Sequence, residues 1–214
     1  MSVFPWPTPD EAPELISRIA AAQSALDLSL RSLGDDQARR PSGLPGWSRG
    51  HVLTHLARHA ESVARMLEGV PSGRPEPQYF GGAPGRAAEI EAGAGRPAAE
   101  LAEDVRVTGQ RAGAAMRGLP PDLWTARIAG DVPATKTLVS RWREIEIHRV
   151  DLGLGHTSAD WPAEFVARYL PQELAKLPAR APGVAVPPGL PEHAVLAWLV
   201  GRGAPELPEL PAWA

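Results

Sequence analysis

Four long stretches of this chain repeat apolar residues at intervals of three and four, and Pro- or Gly-bearing segments separate them. In the first, Leu15, Ile19, Ala22, Leu26, Leu30 and Leu33 keep that spacing up to Gly34. Such a period gathers them on one face of an α-helix. Thr8-Pro9-Asp10-Glu11 precedes it as a capping box with proline at the first helical position, a start signal. After a Pro/Gly loop from Arg40 to Gly46, Ser48 can cap a second helix running to about Gly69, with Val52, Leu53, Leu56, Val63 and Leu67 at helical spacing. A third spans Pro97 to Leu119, with Leu101, Val105, Ala112 and Met116 on its apolar side, and Gly118 and Pro120-Pro121 close it. The fourth runs from Ala134 to Gly153. Helices with one apolar face must bury it, and four of them do so as a bundle. The sequence thus predicts a mainly α protein, a four-helix bundle over residues 1–155.

The fourth stretch is locally ambiguous. Glu144-Ile145-Glu146-Ile147-His148 alternates polar and apolar residues like a half-buried strand. A lone strand among helices would leave its backbone unpaired, which is costly. Read as a helix, the segment turns Leu138, Trp142, Ile145, Val150 and Leu152 toward the other three helices and leaves Glu146 in solvent. Residues 70–85, VPSGRPEPQYFGGAPG, form a turn-rich loop long enough to suggest a role, followed by a short helix around Arg86 to Glu91. Beyond Gly155 prolines accumulate, and residues 156–214 read as a small α+β unit. Its expected elements are helices at Trp161–Leu174 and Glu192–Val200 and a short strand at Val184–Val186.

A net charge of -3 supplies no basic field, which argues against a nucleic-acid partner. The N-terminal MSVFPWPTPDEAPE has neither the basic nor the apolar region of a signal peptide, and the longest apolar runs, such as Val195 to Val200, are too short to span a bilayer. The expectation is a soluble, cytoplasmic protein with no membrane partner. No feature points to a particular oligomeric state. The chain contains no cysteine, so disulfides, thiolate ligands and a protein thiol nucleophile are excluded. Any sulfur chemistry requires a thiol brought from outside.

On a helix, Glu144 and His148 stand one turn apart, with Cβ atoms about 5–6 Å from each other. Helix bundles use such pairs to offer oxygen and nitrogen to one metal ion, with further ligands from a facing helix. The second helix carries His51, His55 and His59, each four residues from the next. They drift by about 40° per step, so they share a broad face without aiming at one point. One of them with Glu144 and His148 would make a His2Glu set with an open fourth position, the arrangement of a catalytic zinc site. The same spacing equally suits a surface hydrogen-bonded pair and a solvated histidine face. Asp151, three residues after His148, is placed either to orient that imidazole or simply to end the helix.

Three ordered stretches, LPGWSRGHVLTHLARHAESV, YFGGAPGRAAEIEAGAGRPAAELAEDV and RWREIEIHRVDLG, together with the later WLVGRG and LPAWA, resemble the mycothiol-dependent maleylpyruvate isomerase family. The resemblance covers nearly the whole chain and implies a DinB-like bundle. It places the metal ligands at His55, Glu144 and His148, leaves out His51 and His59, and implies zinc (or another divalent ion) and the thiol mycothiol as cofactors. The family's active-site arginines fall on Arg86 and Arg202, as groups for thiol or substrate, and Tyr79 lies on the same loop as Arg86. A surface ion pair is the alternative for either arginine. The implied activity converts maleylpyruvate to fumarylpyruvate: a thiolate adds to the activated double bond, rotation becomes free, and elimination restores the thiol. A mycothiol S-transferase, in which the adduct persists, and a non-catalytic metal- or thiol-binding protein are the alternatives.

Overall fold

The computed structural model describes residues 6–74 and 76–213. Its helices are α1 (Ala12–Leu30), α2 (Asp35–Arg39), α3 (Arg49–Gly69), α4 (Gly82–Gly93), α5 (Ala98–Gly118), α6 (Lys136–Leu152), α7 (Ala163–Arg180) and α8 (Glu192–Leu199). Two compact units divide the chain, Trp6–Leu154 and the part from Gly155 onward. Among the described residues no helix is long and apolar enough to cross a membrane.

In the first unit α1, α5, α3 and α6 follow one another around a four-helix bundle, α1 packing on α5 and α6, and α3 on the same two. The core is the set of residues that the period selected: Leu15, Ile19, Leu26, Leu53, Leu56, Leu101, Val105, Leu138 and Ile145 are all at most 5% exposed. Thr8 does start the first helix, with Glu11 accepting from its backbone N–H at 2.8 Å, although the opening turn Pro9–Glu11 is a 3-10 helix. At α3, the Ser48 hydroxyl accepts from the His51 N–H, and the His51 ring closes back on the Ser48 N–H at 3.1 Å. Arg127–Ala129 and Val132–Pro133 pair as the antiparallel hairpin β1–β2, which the sequence pattern did not announce. Five residues across a tight turn are too few to display a period.

The helical reading of 134–153 holds, with one correction. Glu146 is buried, 2% exposed, with Arg149 3.3 Å from its carboxylate. The exposed position expected for it assumed a helix with one wet face. In α6 the buried positions, which include Thr137, Arg141, Trp142, Glu146, Ile147 and Asp151, spread over most of the circumference, and the remaining positions are half-buried, none exposed. Alternation therefore says nothing about solvent there. Val150, expected against the bundle, is half-buried.

The end of α6 is tied down. Gly153 terminates it in the left-handed region, φ 59°, and Arg49 donates to the carbonyls of Leu152 and Gly153 at 2.5 and 3.2 Å. Gly43 donates to the Asp151 carbonyl at 2.7 Å. Orphan carbonyls at a helix end need such donors. α3 and its neighbours approach closely at Gly50, where an added Cβ would lie 2.1 Å from the carbonyl oxygen of Ala94.

Taken by itself, the second unit is helical among its described residues, and the strand expected at Val184–Val186 does not form: the segment has no regular structure. Those residues are half-buried to exposed, and the Val184 N–H donates back to the Ala181 carbonyl at 3.1 Å, a turn in place of a sheet partner. The first of its helices outruns the expected Trp161–Leu174 and continues through Pro171 and Pro178 to Arg180. Each proline frees one carbonyl four residues back, and Ala167 and Leu174, which carry them, are exposed and half-buried, respectively.

Gly50→Ala is expected to destabilise the protein by about 1–3 kcal/mol through overpacking against fixed backbone. A urea unfolding midpoint unchanged from wild type would contradict the close approach.

Candidate metal centre

α3 and α6 face each other with His55 on one and Glu144 and His148 on the other. The Nε2 of His55 lies 2.7 Å from Glu144 Oε2 and 3.1 Å from His148 Nε2, and His148 Nε2 lies 3.2 Å from the same carboxylate oxygen. One donor atom from each of the three falls within 4.8 Å of the others. The pairing at one turn along α6 brings Glu144 and His148 together, and the α3–α6 contact adds the third residue across the bundle.

Burial sets the charges. It pushes the His55 imidazole down to about 4, against the pull of Glu144, so the ring is neutral at physiological pH. Burial works to raise Glu144, yet His59, His148 and His55 outweigh it and hold the carboxyl well below its ordinary value. Burial likewise opposes a proton on His148, but hydrogen bonds to Asp151 and Glu144 win and raise it. The cluster is an ionised carboxylate among imidazoles.

The surrounding residues fix the rings. Asp151, 1% exposed, sits 2.7 Å from His148 Nδ1, which orients that ring with Nε2 toward the cluster. Of the two placements open to it from the sequence, this one sets it on the ring, and a carboxylate on the outer nitrogen is the usual partner of a ligating histidine. Arg86, on α4, donates from Nη2 to His55 Nδ1 at 3.1 Å, and its guanidinium lies over the Tyr79 ring at 5.6 Å. Tyr79 is raised by burial and by Glu144, so its hydroxyl keeps its proton. Arg65 holds that loop, donating to the carbonyls of Pro77 and Gln78 at 3.3 and 2.9 Å and covering the Phe80 ring at 4.5 Å.

The remaining histidines of α3 go elsewhere. His51 is bound to Ser48 at 2.7 Å and to Glu91 at 3.2 Å. His59, 2% exposed, reaches Ser140 at 3.2 Å, one turn before Glu144. Trp47, which the sequence reading passed over, sets its ring edge against His55 at 5.8 Å between centroids. Its only signal was its place just before the Ser48 cap. Arg202 belongs to the second unit, where it donates to the Val200 carbonyl at 2.5 Å and lies under the Trp213 ring at 5.5 Å.

The donor set suits a divalent ion. Three N and O donors on a tetrahedral zinc stand about 3.3 Å apart, given bonds of about 2.0–2.1 Å. Two of the contacts described above already come within about 0.2 Å of that spacing, and the 2.7 Å contact between His55 and Glu144 would open by about 0.6 Å. The absence of sulfur donors leaves affinity without strong selectivity among zinc and its neighbours.

No curated protein matches this chain. Two solved structures share its fold. One is of the mycothiol-dependent maleylpyruvate isomerase, 23% identical with a TM-score of 0.83, spanning 97% of this chain and 100% of that one. The other is of a histidine-to-alanine mutant of that isomerase, 22% identical, with the same TM-score and coverage. At such identity the likeness establishes the fold. The family model of the mycothiol maleylpyruvate isomerase N-terminal domain matches residues 19–153. That match covers more than half of the chain and contains every residue of the cluster, and the protein belongs to this family.

Proposed function

We propose that the protein is a mycothiol-dependent isomerase that converts maleylpyruvate to fumarylpyruvate at a divalent metal held by His55, Glu144 and His148. The observation that carries the reading is the convergence of those three donors from α3 and α6, inside the segment that the family model matches. Bound there, an ion such as zinc supplies a Lewis acid that keeps a ligating thiol ionised at neutral pH. The thiol has to be external, because the chain has no cysteine.

The chain's own groups have distinct tasks. Glu144 brings the negative charge that balances the ion. Asp151 holds the proton on the outer nitrogen of His148 and leaves Nε2 free to ligate. Arg86 donates to His55 Nδ1 only while that nitrogen carries a lone pair. With Nε2 of His55 given to an ion, the proton would have to stand on Nδ1, which would free the Arg86 guanidinium for an anionic group of the substrate. An arginine fork suits a carboxylate through two parallel hydrogen bonds. The neutral Tyr79 hydroxyl is a donor for an oxygen on which enolate charge develops. Arg202 is assigned to substrate or thiol on its place in the WLVGRG motif.

His55→Ala, Glu144→Ala and His148→Ala are each expected to lose bound zinc and mycothiol-dependent conversion together. Zinc content by atomic emission and loss of maleylpyruvate absorbance are the readouts. A variant that keeps a full metal equivalent leaves the ligand set. Arg86→Ala should retain metal while turnover falls by about tenfold or more, and unchanged kinetics would reduce it to a structural role. A product that keeps its sulfur would replace the isomerase with an S-transferase.

The imidazoles also predict an acid limit for the metal-free protein. His55 and His59 are pushed by burial from 6.5 to about 4 and about 3, so the unfolded chain takes up their protons first. Stability should fall as pH drops from about 6.5 toward 4. Glu144, held low, gives stability above its unfolded value that is lost only as pH falls through its depressed one. His148, held high, acts oppositely, stabilising below 6.5 and losing that contribution as pH rises through its raised value. His59→Gln should flatten the acid slope of the urea midpoint, and an unaltered slope would contradict the burial argument.

A further inference from the structure

The cluster has a support that no part of the proposed reaction uses. Arg141, 1% exposed, lies in the bundle core three residues before Glu144. Its Nη1 donates to the carbonyl of Leu56 at 2.9 Å, and Leu56 directly follows His55 on α3. Its Nη2 donates to Gln23 Oε1 on α1 at 2.8 Å. Gln23 Nε2 in turn donates to Asp27 at 2.7 Å. On α5, Gly109 gives the Gln23 amide its seat, because a Cβ there would lie 2.5 Å from Gln23 Cδ. One guanidinium thus binds α3 and α1 from α6, and its α1 anchor rests on α5.

We propose that Arg141 is a positioning residue for the metal centre: its fork ties α6 to the carbonyl beside His55 and so holds His55 at ligand spacing from Glu144 and His148.

The physical case rests on direction. Apolar contacts between α3 and α6 favour burial but are non-directional, and they tolerate small slips of one helix along another. A planar guanidinium with fixed N–H vectors does not. The bond to Leu56 falls next to one ligand on α3, and its donor stands less than one turn from a second on α6. A slip of half an ångström in this register would change every donor separation in the cluster. Burial pulls the guanidinium down to about 10, with Glu144 and Asp27 resisting, so it remains charged at neutral pH. A buried charge whose hydrogen bonds go to neutral acceptors is an expensive way to fill space, since its desolvation is not repaid by a counter-ion in contact. What the arginine adds over a methionine is register.

This inference rests on the metal reading above, and the test separates the two. Zinc dissociation constants and the absorption spectrum of the cobalt(II)-loaded protein are measured for wild type, Arg141→Met, Arg141→Lys and Gln23→Leu, with the urea midpoint of each metal-free protein. Arg141→Met is expected to weaken zinc by about 10–100-fold, as loss of an outer support typically does. The cobalt(II) spectrum should shift, and the metal-free midpoint should fall modestly because Gln23 Oε1 loses its donor. Arg141→Lys, which keeps the charge but not the fork, should recover part of the affinity. If Arg141→Met does not fold, Gln23→Leu decides, because it removes the α1 anchor alone, and a several-fold loss of zinc affinity is expected. A falling midpoint with wild-type zinc affinity would make Arg141 merely structural and overturn the proposal. Wild-type protein that binds no zinc would overturn the metal reading and this one with it, whereas wild-type binding lost in His55→Ala but untouched in Arg141→Met overturns this one alone.

Discussion

An ionised carboxylate drawn into the side of a helical bundle, its side chain only 17% exposed, is the constraint from which the rest follows. Glu144 could not keep its charge there unpaired, since an isolated buried carboxylate protonates instead. Here it stays ionised because His55 and His148 touch it at 2.7 and 3.2 Å and His59 lies further along the same helix. Those imidazoles are themselves buried, and burial keeps His55 and His59 neutral. The cluster is therefore held together by hydrogen bonds from ring nitrogens to one anion, contacts that a divalent ion bound to the same three groups would replace. Its geometry depends on the register of α3 against α6.

Several features hold that register. The Ser48 cap fixes where α3 begins, and Arg49, one residue later, reaches across to the last carbonyls of α6. The Asp151 carbonyl receives the Gly43 N–H, so the loop before α3 also grips the end of α6. Arg141 makes a third tie near the middle of both helices. The α3 ligand thus lies between two polar anchors. Apolar packing brings the helices together, and directional bonds decide how they are phased.

Much of this was legible in the sequence, for a physical reason. Apolar residues at helical spacing bury, and the residues chosen by period are those with almost no exposure, such as Leu26, Leu53, Leu101 and Leu138. One turn of helix made Glu144 and His148 neighbours in the sequence, though spacing alone did not tell a ligand pair from a surface pair. Spacing alone could not choose among His51, His55 and His59, because the choice depends on how α3 is rotated toward α6. The family likeness pointed to His55, which is the one that meets Glu144. Other features lay beyond a linear reading. Glu146 looked wet because alternation implies two faces, whereas α6 is covered all round. The helix expected to end at Leu174 runs on through Pro178, because the carbonyls freed by Pro171 and Pro178 have access to solvent. Arg141 and Gln23 carry no local signal at all, since their partners are 85 and 118 residues away.

The central claim is that one ion sits on two imidazoles and a carboxylate and takes its sulfur from a free thiol. X-ray absorption at the zinc edge, recorded before and after adding mycothiol, tests it most directly. The account predicts only nitrogen and oxygen neighbours at first, with the outer-shell signature of two imidazoles, and one new sulfur at about 2.3 Å once mycothiol is present. A spectrum without imidazole scattering, or one that gains no sulfur at saturating mycothiol, would contradict it.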